Sequence, residues 1–540
     1  VTSEQQGALE LRRRLLAVAP EARAELLLSS PDPRAAVRTL PAQELYLTIL
    51  SSAEDEAQAI LQLAARPQLE FVFDIDGWLD DTLDAGRSAQ WLLRLCEAGP
   101  ELVARFFAEA DESLVVLLLS TLLHVYKLDE SVDPRFAPPD RPLMTLDQTY
   151  FFELREGVPD ELADAFSQVL SLLRARSVNS YQSLLEQVMW SIPSEVSETA
   201  FQARNSRLAE KGFPPLEESL EVWSSGSTPL REQRTRLMAR IEAAAPRSEL
   251  PASSSSPRHD STLTSLTHAM QLLPAEQREG WLHELVRTAN RFAVASREHL
   301  GAPETHHRAF QTACAHLELG LAQLAGHDPQ RRGVALSQIS VRELVRLGTG
   351  AVLTRSHLAR QLRQGWIAHV PFGIERLDQP WVELLNGLCA PRPYYSLDGA
   401  HRPFQRFADL ERVDAQLTEL EQLGRFLGST LRLADGSDLP ELDPLPAGRS
   451  DTADLEWSAV LVTAVLRRML DQPARPVPFS ASELAGAIAR SSLDRIELIC
   501  GQLSVPALSG LVRDRIEELR ATIGVSPIEP RFARGVLMHG

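Results

Sequence analysis

Apolar residues recur at i, i+3, i+4 and i+7 through most of this 540-residue chain, and proline and glycine break the pattern into short lengths. The stretches AQAILQLAARPQ (57–68) and SAQWLLRLCEAGPELVARFF (88–107) are typical. A helix with one apolar stripe must cover it with a neighbour. Three such segments, PAQELYLTIL, RPQLEFVFDI and GPELVARFFAEA, carry proline as their first or second residue and recur at intervals of roughly 30 residues. Proline suits a helix start because the first turn has no use for its missing N–H. The pattern predicts a mainly α protein of stacked helical hairpins in two or three blocks, superhelix-like in its N-terminal part.

One region departs from helical spacing. Residues 124–156 carry β-branched and aromatic residues around a proline-rich loop, and TLDQTYFFEL is expected to pair with LLHVYKL as a small hairpin. The organisation expected is a helical-repeat block over 1–127, a hairpin insert over 128–158 and a helical continuation over 159–224. A flexible linker follows over 225–262, then a second helical block over 263–433, a linker over 434–454, and a final helical block and irregular tail over 455–540.

A formal net charge of −18 argues against nucleic acid or an anionic membrane as partner, since both need a basic face. The longest apolar run, LVVLLLSTLLHV, is too short for the roughly 20 residues a bilayer span needs. The first 20 residues have no continuous apolar run behind a basic stretch, so no secretion signal is expected there. Cys96, Cys314, Cys389 and Cys500 have no metal-ligand or C-x-x-C spacing and read as free thiols in or beside apolar stretches. A cytoplasmic protein is expected.

The phrase EFVFDIDGWLDD, residues 70–81, resembles the nucleophile loop of haloacid-dehalogenase-like phosphatases. That chemistry needs a parallel sheet, a lysine to balance a phospho-aspartate, and a distal acidic pair for Mg²⁺. The strand–helix alternation of such a sheet is missing, Trp78 stands where a threonine is usual, and Lys127 and Lys211 are the only lysines. Leu69, Val72, Phe73, Ile75, Trp78 and Leu79 form an apolar face at helical spacing. The phrase therefore reads as a joint between two helices. Asp74 and Asp76 are expected to cap or face water, and one of Asp80, Asp81 and Asp84 to cap the second helix.

Two stretches are candidates for binding. Arg204, Arg207 and Lys211 share a helix face and suit an anion or an acidic partner, with pairing to Glu195, Glu198 or Glu210 as the plainer reading. Tyr394, Tyr395, His401, Arg402 and Phe404 crowd an expected irregular loop, and aromatic and arginine side chains are the types enriched at protein interfaces. The plainer reading there is a loop pinned by its own aromatics. His299, His306, His307, Cys314 and His316 cluster in sequence but lack metal-ligand spacing, so they are expected to be solvated or capping, with no metal site. LGTG, residues 347–350, is too short for a phosphate loop, and no nucleotide-binding, serine-hydrolase or zinc-protease motif occurs.

The stretches 200–223 and 365–410, with LPAQELYLTIL and FVFDIDGWLDD before them, resemble a bacterial family known only as a domain of unknown function, over roughly residues 26–422. The resemblance implies a helical cytoplasmic protein and carries no activity, cofactor or catalytic residue. The N-terminal part is loosely similar to the helical domain of magnesium channels and to armadillo-like modules. The function expected is a non-enzymatic scaffold or regulatory adaptor that binds protein partners and needs no cofactor. The alternative is an enzyme or small-ligand sensor with a pocket between helical blocks.

Overall fold

The computed structural model describes residues 18, 20–128, 136–224, 229–244, 266, 269–370, 373–431, 456–523 and 535–538. They are mainly α-helical, with small antiparallel sheets. The chain divides into two compact units. One comprises Val1–Glu221 and Val286–Phe310; the other comprises Val222–Leu285 and Gln311–Gly540.

In the first unit the helices stack in two layers, as the recurring proline-led segments predict. Pro20–Leu28, Ala42–Ser51 and Arg66–Asp76 pack in succession in one layer, and Pro33–Thr39, Glu54–Leu63 and Ala85–Ala98 in the other. Two of the turns between them are closed by side-chain caps. Asp32 accepts from the Ala35 amide at 2.9 Å, and Asp84 accepts from the Arg87 amide at 2.7 Å, which satisfies orphan donors of the helix starts. Buried Gln68 reaches back to the carbonyls of Val37 and Leu40, both at 2.9 Å, and so ties one hairpin to the previous one. Pro100–Glu109, Glu112–Leu122, Glu161–Arg176, Val178–Trp190 and Pro193–Glu210 complete the helical body around one apolar core.

The expected strand pair is present. Leu123–Lys127 runs antiparallel to Tyr150–Leu154, with Leu123 opposite Leu154 and Lys127 opposite Tyr150. The sheet is larger than a hairpin: Met144–Thr145 adds a third strand on the free side of Tyr150–Leu154. Leu123, Val125, Tyr150 and Phe152 face the core, which sets the register.

The second unit corrects one sequence expectation. Within the stretch 225–262, expected as a linker, Leu230–Ala244 is a helix. Only Leu237 and Ile241, one turn apart, are buried there, so its apolar stripe was too thin to stand out. The rest of that stretch, and the linker expected over 434–454, lie outside the described residues. Residues of the two blocks expected over 263–433 and 455–540 share one core. The reason is the helix Trp457–Met469, which is buried on nearly every face and needs neighbours all round. Val536, Leu537 and Met538, expected in an irregular tail, also belong to that core.

LGTG lies inside the helix Val341–Gln364 and serves a crossing. Gly348 passes so close to the neighbouring helix that a Cβ there would lie 1.8 Å from the His316 carbonyl oxygen, and a Cβ on Gly320 would lie 2.0 Å from that of Leu344. The two glycines let two backbones touch. His316, expected to be solvated, is buried beside this crossing, with Nδ1 2.8 Å from the Thr349 hydroxyl. Burial brings its imidazole down to about 4, so it is neutral at physiological pH. We expect Gly348→Ala to cost roughly 1–3 kcal/mol or more, because the obstacle is backbone and cannot rotate away. Urea unfolding of the full chain followed by circular dichroism measures this.

Candidate functional site

The helix Arg66–Asp76 ends on the Asp-x-Asp-Gly phrase, and its last turn organises the first unit. Successive helical residues are about 100° apart, so Asp74 and Asp76 point to nearly opposite sides. After Gly77, a tight antiparallel pair, Trp78–Leu79 with Thr82–Leu83, reverses the chain, and Asp84 caps Ala85–Ala98. The joint is thus as expected, with Phe73 and Trp78 buried, but Leu79 leaves the apolar face and is 56% exposed.

The aspartates neither cap nor face water. Asp74 is 1% exposed, and both of its oxygens are held by Arg207, from Nε and Nη2, each at 2.8 Å. Arg207 comes from the helix Pro193–Glu210 and also reaches Asp111 at 3.3 Å. Asp111 in turn caps Glu112–Leu122, and its own amide donates to Glu70 at 3.0 Å. Arg204, one turn before Arg207, donates from Nε to the Asp74 carbonyl at 2.7 Å, and its guanidinium lies 5.2 Å from the centre of the Trp78 ring. Burial lowers Arg204 to about 10, still well above neutrality. Burial also disfavours the charge on Arg207, yet the bonds it donates to Asp74 overcome this and raise the guanidinium above its usual value. The partner of this basic face is therefore a carboxylate 133 residues away in sequence, in place of the local Glu195, Glu198 or Glu210. Lys211 follows the helix as its C-cap and is exposed.

Asp76 faces residues from the other end of the unit. His299 Nε2 lies 2.6 Å and Arg87 Nη1 3.0 Å from the same oxygen, Oδ1, and the Trp91 indole donates to Oδ2. Tyr46 donates to the Gly301 carbonyl at 2.6 Å. Gly301 is required by this approach, since a Cβ there would lie 2.1 Å from Asp76 Oδ1. Burial alone would lift the Asp76 carboxyl, but the bonds from His299 and Trp91 and the charge of Arg87 bring it below the ordinary aspartate value.

This geometry leaves Asp74 no role as a nucleophile. It sits in a helix, away from solvent, with both oxygens occupied. Among the described residues no three His, Cys, Asp or Glu side chains group to hold a metal ion. His306 Nε2 meets the Leu300 carbonyl at 2.6 Å, so it is engaged by the fold and not solvated. The sequence reading missed Tyr46, Arg87, Trp91 and Asp111. The available signal was that two carboxylates at the end of an apolar helix must find cations somewhere.

In the second unit the stretch expected as an irregular loop holds a β-hairpin, Tyr395–Leu397 with Ala400–Arg402. The turn Asp398–Gly399 puts both residues at positive φ, 55° and 73°, as a two-residue hairpin loop demands. Tyr395 and Phe404 are buried edge-to-face, with ring centres 5.8 Å apart. Arg402 forks onto Asp409 at 2.7 and 2.8 Å and lies 4.4 Å from the Tyr395 ring centre. His401 is exposed and Tyr394 half-buried, with ring centres 6.1 Å apart. The hairpin is therefore pinned by three of its five candidate residues, leaving His401 and Tyr394 towards solvent.

A family model of unknown function, DUF6178, matches residues 3–518. The chain belongs to that family. The match runs beyond the stretch 26–422 that the sequence resemblance covered. No curated protein and no solved structure matches this DUF6178 chain, so the likeness to magnesium-channel and armadillo-like domains finds no support.

Arg207→Ala strands a buried carboxylate and should cost about 3–5 kcal/mol. The double variant with Asp74→Asn should recover part of that loss, since no buried charge is then left unpaired; denaturant unfolding of all four members of the cycle decides. Asp76 supplies a pH signature. Its folded carboxyl is lowered, so its contribution is present above the ordinary aspartate value and lost as pH falls through the folded one. The stability gap between wild type and Asp76→Asn should shrink over that acid range, read from melts at stepped pH.

Proposed function

We propose that this DUF6178 chain is a non-enzymatic helical scaffold or regulatory adaptor that binds protein partners in the cytoplasm. One observation carries the reading. The side chains with the most chemical promise, Asp74, Asp76, Arg204 and Arg207, spend their charge on one another and on the fold. A shallow depression of about 390 Å³ in the first unit, lined by Pro100, Glu101, Ser167, Gln168, Ser171 and Leu172, has one carboxylate and no acid–base partner beside it. Among the described residues no helix is long and apolar enough to cross a membrane. All four cysteines are free, which suits a reducing compartment.

The surface that fits a protein partner lies at the end of Val178–Trp190. Trp190 is 51% and Ile192 54% exposed, and the Phe136 ring centre is 4.7 Å from that of Trp190. Exposed tryptophan beside apolar neighbours is the residue type that dominates binding energy at interfaces. The test is affinity capture from native lysate with the full chain as bait. A protein retained by wild type and weakened about tenfold or more by Trp190→Ala with Ile192→Asp supports the reading. It fails if a metabolite co-purifies and no protein does. It also fails if the chain hydrolyses a generic phosphate ester and Asp74→Asn abolishes that activity.

A further inference from the structure

In a unit built almost wholly of helices, Gly535–Met538 enters as a short non-helical segment that ends in a β-bridge. The Phe479 amide donates to the Leu537 carbonyl at 2.9 Å, and the Leu537 amide donates to the Thr463 hydroxyl at 2.9 Å. Phe479 and Met538 form a parallel β-bridge. Val536, Leu537 and Met538 are 1%, 4% and 2% exposed. Main-chain bonds to a short segment whose apolar side chains are buried are also the contacts by which grooves hold peptides.

The groove is held ready from its own side. Arg467 stacks on the Phe479 ring at 4.0 Å from its centre, and donates to the carbonyls of Val477 and Pro478. Those bonds fix the stretch before Phe479, so the amide that receives the strand is positioned by residues outside it. Thr463 is likewise set by its bond to the Ala459 carbonyl at 2.7 Å. At the other end Gly535 has φ of 92°, a left-handed conformation that glycine alone adopts without strain. Two main-chain bonds and three side chains hold the segment, while the frame around it is supported independently.

We propose that this groove is a peptide site filled in cis by Val536-Leu537-Met538, and that it takes the same segment from a second copy of this chain when the cis strand lifts away. The proposal stands whether or not the chain is an adaptor. A tethered ligand outcompetes the same ligand in solution through its effective concentration, so the groove is masked while the strand is docked.

The probe is a fluorescent peptide of residues 534–540, titrated into the full chain. Leu537→Asp, which ejects the strand, should bind it saturably and at least about tenfold more tightly than wild type, since the millimolar competitor in cis is gone. Gly535→Val should lie between, and a peptide carrying the same Leu-to-Asp change should not bind. The proposal is overturned if Leu537→Asp keeps its helical signal and ignores the peptide, if wild type binds equally well, or if Leu537→Asp does not fold. Hydrogen exchange on the unaltered chain is an independent reading. The amides of Phe479 and Leu537 should exchange together and faster than those of Trp457–Met469; exchange only with that helix would make the segment plain core.

Discussion

A carboxylate with 1% exposure in a helical core is a demand on everything near it. Asp74 obliges Pro193–Glu210 to place Arg207 against it and Arg204 over Trp78, and this seats that helix across Arg66–Asp76 and Glu112–Leu122. Asp111 extends the same chain of charge to the cap of Glu112–Leu122. Apolar stripes pack helices at many rotations of similar energy. A forked guanidinium on a carboxylate has one geometry, so the pair selects a single arrangement.

The second unit uses the same device at other joints. Asp378, 3% exposed, accepts from the Ser458 amide at 3.3 Å and faces Arg515 at 3.3 Å, which fixes the start of Trp457–Met469 and ties Ser509–Ile523 to it. Glu318 and Arg332, both nearly out of solvent, meet at 2.8 Å where Pro303–Ala325 turns into Pro329–Gln338. Lys127 and Lys211 are the only lysines, and the arginines that take their place have a structural use here. Planar forks satisfy several acceptors at once where a point charge would leave some unmet.

Much of the fold was legible because helical spacing is a local signal. The stacked N-terminal helices and the joint at Gly77 follow from residues within one or two turns of one another, and Leu123–Lys127 and Tyr150–Leu154 each show strand composition within their own few residues. What stayed hidden depended on distance. Nothing near Asp76 in sequence announces His299, and nothing near Arg207 announces Asp74. The Tyr395 and Arg402 hairpin was missed because its aromatics suggested a surface, whereas burial and the Asp409 fork put them to structural use. Leu230–Ala244 was missed because two buried side chains suffice to dock a helix that otherwise looks like a polar linker.

The pairing of Asp76 with His299 also has a meaning in time. The two residues are 223 positions apart, and the segment that carries His299 belongs to the first unit although most of the second unit follows it. At a synthesis rate of roughly 5–20 residues per second, Asp76 waits on the order of ten to forty-five seconds on the ribosome before its partner exists. Until then the bonds that Asp76 makes with His299 and Tyr46 with Gly301 cannot form. The first unit thus cannot close until the chain has passed residue 310.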